Sequence, residues 1–261
     1  MRAELQKATR WLIEAGNFII NRTLMIMEAL KECNRKISTD GLLQNAVIGV
    51  LALQGAFREH INAIKKCGAQ AKEIKFPQQL DEIDGLIIPG GESSTIYKLI
   101  QKYNFKPAIE RFYKQKKPIF GTCAGLILLA KEVVGDSFGL GYIDITVDRN
   151  AYGRQVDSFE QFVDLKLGPD TNNTRNFRLG TTPYGTNNKF KAVFIRAPKI
   201  EKTGERVQNL CTLDQIPILA RQENVLVCAF HPELTDDLRI HQYFIDMVIR
   251  SKNMIKSDLS D

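Results

Sequence analysis

The 261 residues carry 36 Lys and Arg against 30 Asp and Glu, a formal charge of +6, with a hydrophobic share of 44%. That length suits one large domain or two small ones with a sizeable core, and the interspersed charges favour neither nucleic acid nor a membrane surface. Asn21 and Arg22 interrupt the most apolar part of the N-terminus, so no run reaches the roughly 18 apolar residues of a spanning helix. No secretory signal stands out. Five Cys without a Cys-x-x-Cys spacing, and three His that form no zinc pattern with them, point to the reducing cytoplasm with neither metal nor cofactor expected.

Residues 1–44 read as a helical N-terminal extension. Leu12, Ala15, Ile19, Ile26 and Leu30 fall near a helical period, and Trp11, Phe18 and Met25 widen the apolar stripe. The run Ser38-Thr39-Asp40-Gly41 ends it. Residues 45–261 form a second region in which strands alternate with helices, the α/β signature of a sheet covered on both faces.

In that region, 47–53 is a continuous apolar run, as a strand buried on both sides requires. It ends in Gln54-Gly55-Ala56, and a helix follows over about 57–66, closed by Gly68. Strands are expected over 71–75 and 85–88, the second stopping at Pro89-Gly90-Gly91. Glu92, Ser93, Ser94 and Thr95 then open a helix with a side chain placed to cap it. Two Gly ahead of a helix leave backbone N–H groups free for an anion or oxyanion. After a helix over 106–115 comes Lys117-Pro118-Ile119-Phe120-Gly121-Thr122-Cys123-Ala124-Gly125, a strand, a turn with Cys at its apex and the start of a helix. Small residues around a reactive one are the pattern of a nucleophile elbow. A Cys there is also compatible with simple packing.

Beyond the elbow, 141–147 and 162–167 alternate like half-exposed strands, and 168–188, rich in Asn, Thr, Gly and Pro, reads as a long surface loop. Residues 191–198 resume the sheet, 218–221 and 224–230 suggest a hairpin, and a closing helix runs over 236–252. His231 and Glu233 stand two residues apart at the last strand end. In extended chain i and i+2 point the same way, so the carboxylate reaches the imidazole. Paired with Cys123, this gives a nucleophile, a base and a group that orients the base, suited to acyl transfer from an amide or ester. The N–H groups of Gly91 and Ala124 are the expected oxyanion donors. His60 and His241 have no acid or thiol at useful spacing and read as structural.

Pro-Gly-Gly-Glu-Ser-Ser-Thr (89–95), Gly-Thr-Cys-Ala-Gly (121–125) and Phe-His-Pro-Glu (230–233), in that order, resemble the class I, triad-type glutamine amidotransferases. Residues 51–60, 148–160 and 194–198 narrow the likeness to the glutaminase subunits of pyridoxal 5′-phosphate synthase, over about 47–249. The resemblance implies a central, mixed, mostly parallel sheet with helices on both faces, and hydrolysis of L-glutamine to glutamate and ammonia. It implies Cys123 as nucleophile, His231 as base and acid, and Glu233 as its orienter. Ammonia would pass through a tunnel to a separate synthase subunit. Gly91, Glu92, Ser93, Arg149, Ile195 and Arg196 match the family's substrate site, and Gln54 a position near the site and the partner interface. A glutaminase serving another synthase, or a non-catalytic regulatory subunit, stays open.

Overall fold

The computed structural model describes residues 45–149, 158–167 and 188–258, together with Met25 and Leu43. Met1–Gly41 and Leu42–Asp261 pack as separate units. The extension expected over 1–44 and the loop expected over 168–188 lie outside the described residues, apart from Met25, Leu43 and Asn188.

The first half of the second unit alternates as the sequence suggests. Strand β1 (Val47–Leu51) leads to helix α1 (Phe57–Lys66), β2 (Gln70–Ile74), β3 (Gly85–Ile88), α2 (Ser93–Lys102), α3 (Phe105–Lys114), β4 (Ile119–Thr122) and α4 (Ala124–Leu129). There follow β5 (Ala130–Val133), β6 (Ile143–Asp148), β7 (Ser158–Asp164), β8 (Lys189–Ile195), β9 (Lys199–Thr203), β10 (Gln208–Leu213), β11 (Ile216–Gln222), β12 (Val225–Cys228) and α5 (Arg239–Asp258). The main sheet has seven strands in the order β10-β11-β12-β4-β3-β1-β2. From β12 to β2 the pairings are parallel, and β10 and β11 extend the edge antiparallel. Every residue of β3, β4 and β12 is buried, which is why these strands are unbroken apolar runs.

Alternation along the strands sends neighbouring side chains to opposite faces. On one face Phe120 meets Phe244 of α5, ring centroids 5.5 Å apart, and Gly85 leaves room for Val248 and Phe244. On the other, Gly121 and Ile88 lie against α4. The sheet is therefore covered on both faces, as expected of a class I amidotransferase-like fold.

Three details differ from the sequence reading. Strand β7 begins at Ser158, ahead of the expected 162, because Ser158, Phe159 and Glu160 pair with Ile195, Phe194 and Val193. Strand β8 does not rejoin the main sheet but makes a two-stranded sheet with β7. One face of β8 is apolar, with Phe190, Ala192 and Phe194 buried; a period of two fixes that face and not the neighbouring strand. A third sheet, β5-β6-β9, uses two short polar strands whose sequence carries no alternation strong enough to announce them.

The tightest packing lies where α4 crosses β3 and β4. A Cβ on Gly125 would stand 2.0 Å from the carbonyl oxygen of Ile88, backbone that cannot swing aside. Gly125→Ala is expected to cost about 1–3 kcal/mol or more through overpacking, lowering Tm by about 2–4 °C for each kcal/mol. Thermal unfolding followed by circular dichroism checks this; an unchanged Tm would show that the strand and helix separate freely.

Candidate active site

Four neighbouring strands deliver their C-terminal ends to one place: β1 leads to Gln54, β3 to Gly90 and Gly91, β4 to Cys123 and β12 to His231. Such convergence outside the carboxyl ends of parallel strands is where α/β sheets bind ligands. Cys123 has φ +49° and ψ −103°, a sparsely populated conformation for a residue with a Cβ. Its N–H donates to the Cys228 carbonyl at 2.8 Å, so pairing with β12 continues one residue past β4 and holds the turn. The result is a nucleophile elbow. The Cys123 sulfur lies 3.9 Å from the Ile195 carbonyl oxygen, and the residue is 7% exposed.

His231 is fixed from its own backbone, its N–H donating to Val193 at 2.8 Å. Its Nδ1 is 2.7 Å from Glu233 Oε1. The contact expected of an extended i, i+2 pair is made, although Pro232–Leu234 is a 3₁₀ turn and not a strand end. Burial disfavours the charged imidazole, but Cys123 on one side and Glu233 on the other outweigh it and push the His231 pKa up to about 10. Burial likewise disfavours the Glu233 carboxylate, and His60 with His231 outweigh that, so its pKa is lowered. Gly90 closes the space between His231 and Cys123: a Cβ there would lie 2.5 Å from His231 Cε1 and 3.4 Å from Cys123 Cβ.

The Gly90 carbonyl accepts from the Ala56 N–H at 3.0 Å. In a trans peptide the C=O and N–H point opposite ways, so the Gly91 N–H faces away from Ala56. Among the described residues, no group takes the N–H of Gly91 or of Ala124. Gln54 Oε1 accepts from the Glu92 N–H at 2.9 Å and so pins the same loop. The Glu92 carboxylate caps α2, accepting from the N–H groups of Ser94 and Thr95 at 3.1 and 2.7 Å and from their hydroxyls at 2.8 and 2.6 Å. The hydroxyl and N–H donors, Thr95 foremost, lower its pKa to about 2 against slight burial.

Arg149 reaches the first turn of α2, its Nη1 donating to Ser94 Oγ at 3.1 Å. Asp136 lies 3.0 Å from its Nε, and the guanidinium stacks over Phe138, 5.5 Å from the ring centroid. Ser93 is buried in the same turn. Ile195 is 36% exposed; Arg196 is exposed with φ +41° and makes no side-chain hydrogen bond or ion pair among the described residues. The structure thus gathers Cys123, His231, Glu233, Gly91, Ala124, Gln54 and Ile195, and sets Arg149 beside the Glu92–Ser93–Ser94 turn. Sequence spacing missed Asp136 and Phe138, which hold Arg149. It also did not show that His60 and His241 meet behind Glu233, brought there from α1 and α5; no interval in the sequence signals that meeting.

A family model described as the SNO glutamine amidotransferase family matches residues 50–250. The chain belongs to that family. It is 47% identical over 202 residues to pyridoxal 5′-phosphate synthase subunit PdxT of Thermotoga petrophila, covering 77% of this chain and 98% of that one. It is 50% identical over 206 residues to the PdxT of Anoxybacillus flavithermus, covering 78% and 98%. A crystal structure of a glutamine amidotransferase superposes with a TM-score of 0.67 at 42% identity, covering 78% of this chain and 99% of that one. The protein is therefore a glutamine amidotransferase subunit, an enzyme that hydrolyses glutamine.

The direction of the His231 shift fixes a pH dependence. A His whose pKa is raised on folding adds stability that is complete below the unfolded value of about 6.5. That contribution is lost as pH rises through about 10. A depressed Glu233 adds stability above the ordinary carboxylate range that is lost as pH falls through its folded value. Imidazole NMR is expected to show His231 protonated throughout neutral pH, with its midpoint falling in both Cys123→Ala and Glu233→Gln. A wild-type midpoint near 6.5 would contradict the arrangement.

Proposed function

We propose that Cys123, His231 and Glu233 carry the hydrolysis of L-glutamine and that the ammonia is handed to a pyridoxal 5′-phosphate synthase partner. The observation behind this reading is the elbow Cys beside an imidazole that Glu233 holds by Nδ1, leaving Nε2 for the sulfur. The Cys123 thiolate attacks the side-chain carboxamide carbon, and the N–H groups of Gly91 and Ala124 receive the oxyanion. Protonated His231 gives its proton to the departing nitrogen, releasing ammonia and leaving a thioester. His231 then takes a proton from water, whose oxygen adds to the thioester; collapse returns the proton to sulfur and frees glutamate. One glutamine and one water give one glutamate and one ammonia.

Arg149, held at the head of α2 with Ser93 and Glu92, is assigned the α-carboxylate of glutamine, since a guanidinium meets a carboxylate through paired N–H groups. Ile195, whose carbonyl lies 3.9 Å from the sulfur at the end of β8, and the adjoining Arg196 are assigned to complete the substrate site. Glu92 contributes through its backbone, its carboxylate being spent on the cap. Gln54 contributes by holding the Gly90–Gly91 loop. The assignment of a synthase partner is supported by the relatives from Thermotoga petrophila and Anoxybacillus flavithermus, which are named as subunits of pyridoxal 5′-phosphate synthase. Residues 45–261 are taken as the amidotransferase domain and 1–44 as an extension. Four free Cys among the described residues, and no described helix long and apolar enough to cross a membrane, accord with a cytoplasmic enzyme.

The test is glutamate and ammonia release with and without the synthase subunit, for wild type and Cys123→Ala. Wild type is expected to be active and strongly stimulated by the partner, and Cys123→Ala inactive in both conditions while still co-purifying with the synthase. A wild type silent in both conditions would sink the catalytic assignment, and full activity alone would remove the dependence on the partner.

A further inference from the structure

Behind the triad lies a buried polar cluster that the hydrolysis above does not use. His60, Thr122 and His241 are each 0% exposed. They come from α1, the last residue of β4 and the start of α5. His60 Nε2 is 3.1 Å from Thr122 Oγ1 and 3.3 Å from Glu233 Oε2, while its Nδ1 is 3.0 Å from His241 Nε2. Thr122 Oγ1 also accepts the Gly90 N–H at 3.0 Å. His60 thus stands between the carboxylate that orients the base and the loop that offers Gly91 to the oxyanion.

The hydrogen-bond inventory decides which nitrogen carries each proton. Suppose His60 donated from Nδ1 to His241. Its Nε2 lone pair would then face the Glu233 carboxylate, and His241 Nδ1 would hold a buried N–H with no partner. The opposite tautomers avoid both faults. His241 Nε2–H donates to His60 Nδ1, and His60 Nε2–H is directed between Thr122 Oγ1 and Glu233 Oε2. Left without a partner are an acceptor lone pair on His241 Nδ1 and the Thr122 hydroxyl proton, whose oxygen accepts from Gly90 and His60. Each pattern leaves one neutral donor unmet, but the first turns a lone pair on a buried carboxylate 3.3 Å away and the second turns an N–H toward it; an unanswered buried charge costs more than an unmet neutral group, so this second pattern is the stable one. It also sets that N–H 3.3 Å from Glu233 Oε2, off the line of a hydrogen bond, so that the positive end of its dipole faces an oxygen with no hydrogen-bond partner among the described residues.

We infer that His60 is a positioning residue for the glutaminase, tying the triad carboxylate to the oxyanion loop, with His241 selecting the tautomer that lets it do so. This rests on the Cys123–His231–Glu233 hydrolysis. Burial holds His60 and His241 neutral, their pKa values lowered, that of His241 to about 3. The pair therefore brings a directed dipole to Glu233 and no second charge. The groups facing Glu233 are His231 and His60, with Cys123, Cys228 and His241 beyond them and, at the adjoining hollow, Glu59, Lys66 and Asp236.

Two measurements test this. Glutamine hydrolysis by the complex with the synthase is compared for wild type, His60→Leu and His60→Gln, whose amide nitrogen can reproduce a donor at the Nε2 position. His60→Leu is expected to lose about 10–100-fold in kcat, the scale on which outer orienting groups act, with KM for glutamine little changed. The acid limb of its pH profile should move upward, because Glu233 loses the N–H dipole that faces its charged form; His60→Gln should recover most of the rate and the limb. Folded His60→Leu with wild-type rate and acid limb, or equal impairment of both variants with an unmoved limb, would overturn the inference. A silent wild-type complex would overturn the hydrolysis itself and the inference with it. In the wild type, nitrogen-15 imidazole spectra are expected to show His60 and His241 neutral with protons on Nε2. A proton on His60 Nδ1 would overturn the inference even if neither variant folds.

Discussion

Everything in the site depends on one strained residue kept in place by strand pairing. Cys123 adopts a backbone conformation that a side chain disfavours, and its bond to the Cys228 carbonyl, with Gly121 and Gly125 packed against α4 and β3, leaves it nowhere to relax. Strain of this kind survives only where the surroundings over-determine it. Here the surroundings are β3, β4 and β12, the three strands buried along their whole length. The core that makes the fold stable is thus the clamp that aims the sulfur.

The same three strands set the relative positions of the reacting groups. Because β4 lies between β12 and β3, Cys123 has His231, its proposed base, on one side and the Gly90–Gly91 loop, the proposed oxyanion donor, on the other. Gly90 contacts both partners, since any side chain there would strike His231. The Ala56 N–H holds the Gly90 carbonyl and Gln54 holds the Glu92 N–H, so the Gly91 N–H is oriented before substrate arrives. Preorganised donors of this kind need no rearrangement at the moment charge develops.

Burying that much polarity is costly unless each charge is answered. Glu233 is 7% exposed and answers His231 through one oxygen; its other oxygen faces a neutral imidazole. A second cation in this place would compete with His231 for the carboxylate, whereas an uncharged His60 stabilises Glu233 without lowering its hold on the base. The hydrogen bond from Gly90 to Thr122 carries the arrangement across to the oxyanion loop, so the two halves of the site share one buried residue.

Local sequence was enough to determine the α/β alternation, the elbow around Cys123, the cap at Glu92 and the pairing of His231 with Glu233, because each depends on residues within a few positions of one another. The order of the strands that lead into the site, the separate sheet of β7 and β8, the Asp136 and Phe138 setting of Arg149, and the meeting of His60 with His241 across 181 residues were decided only by tertiary structure. Periodicity records which face of an element is buried, and it does not record what lies against that face. His60 shows the difference most plainly: on the sequence it is a lone histidine in a helix, and only the packing of α1 and α5 against the end of β4 turns it toward the carboxylate.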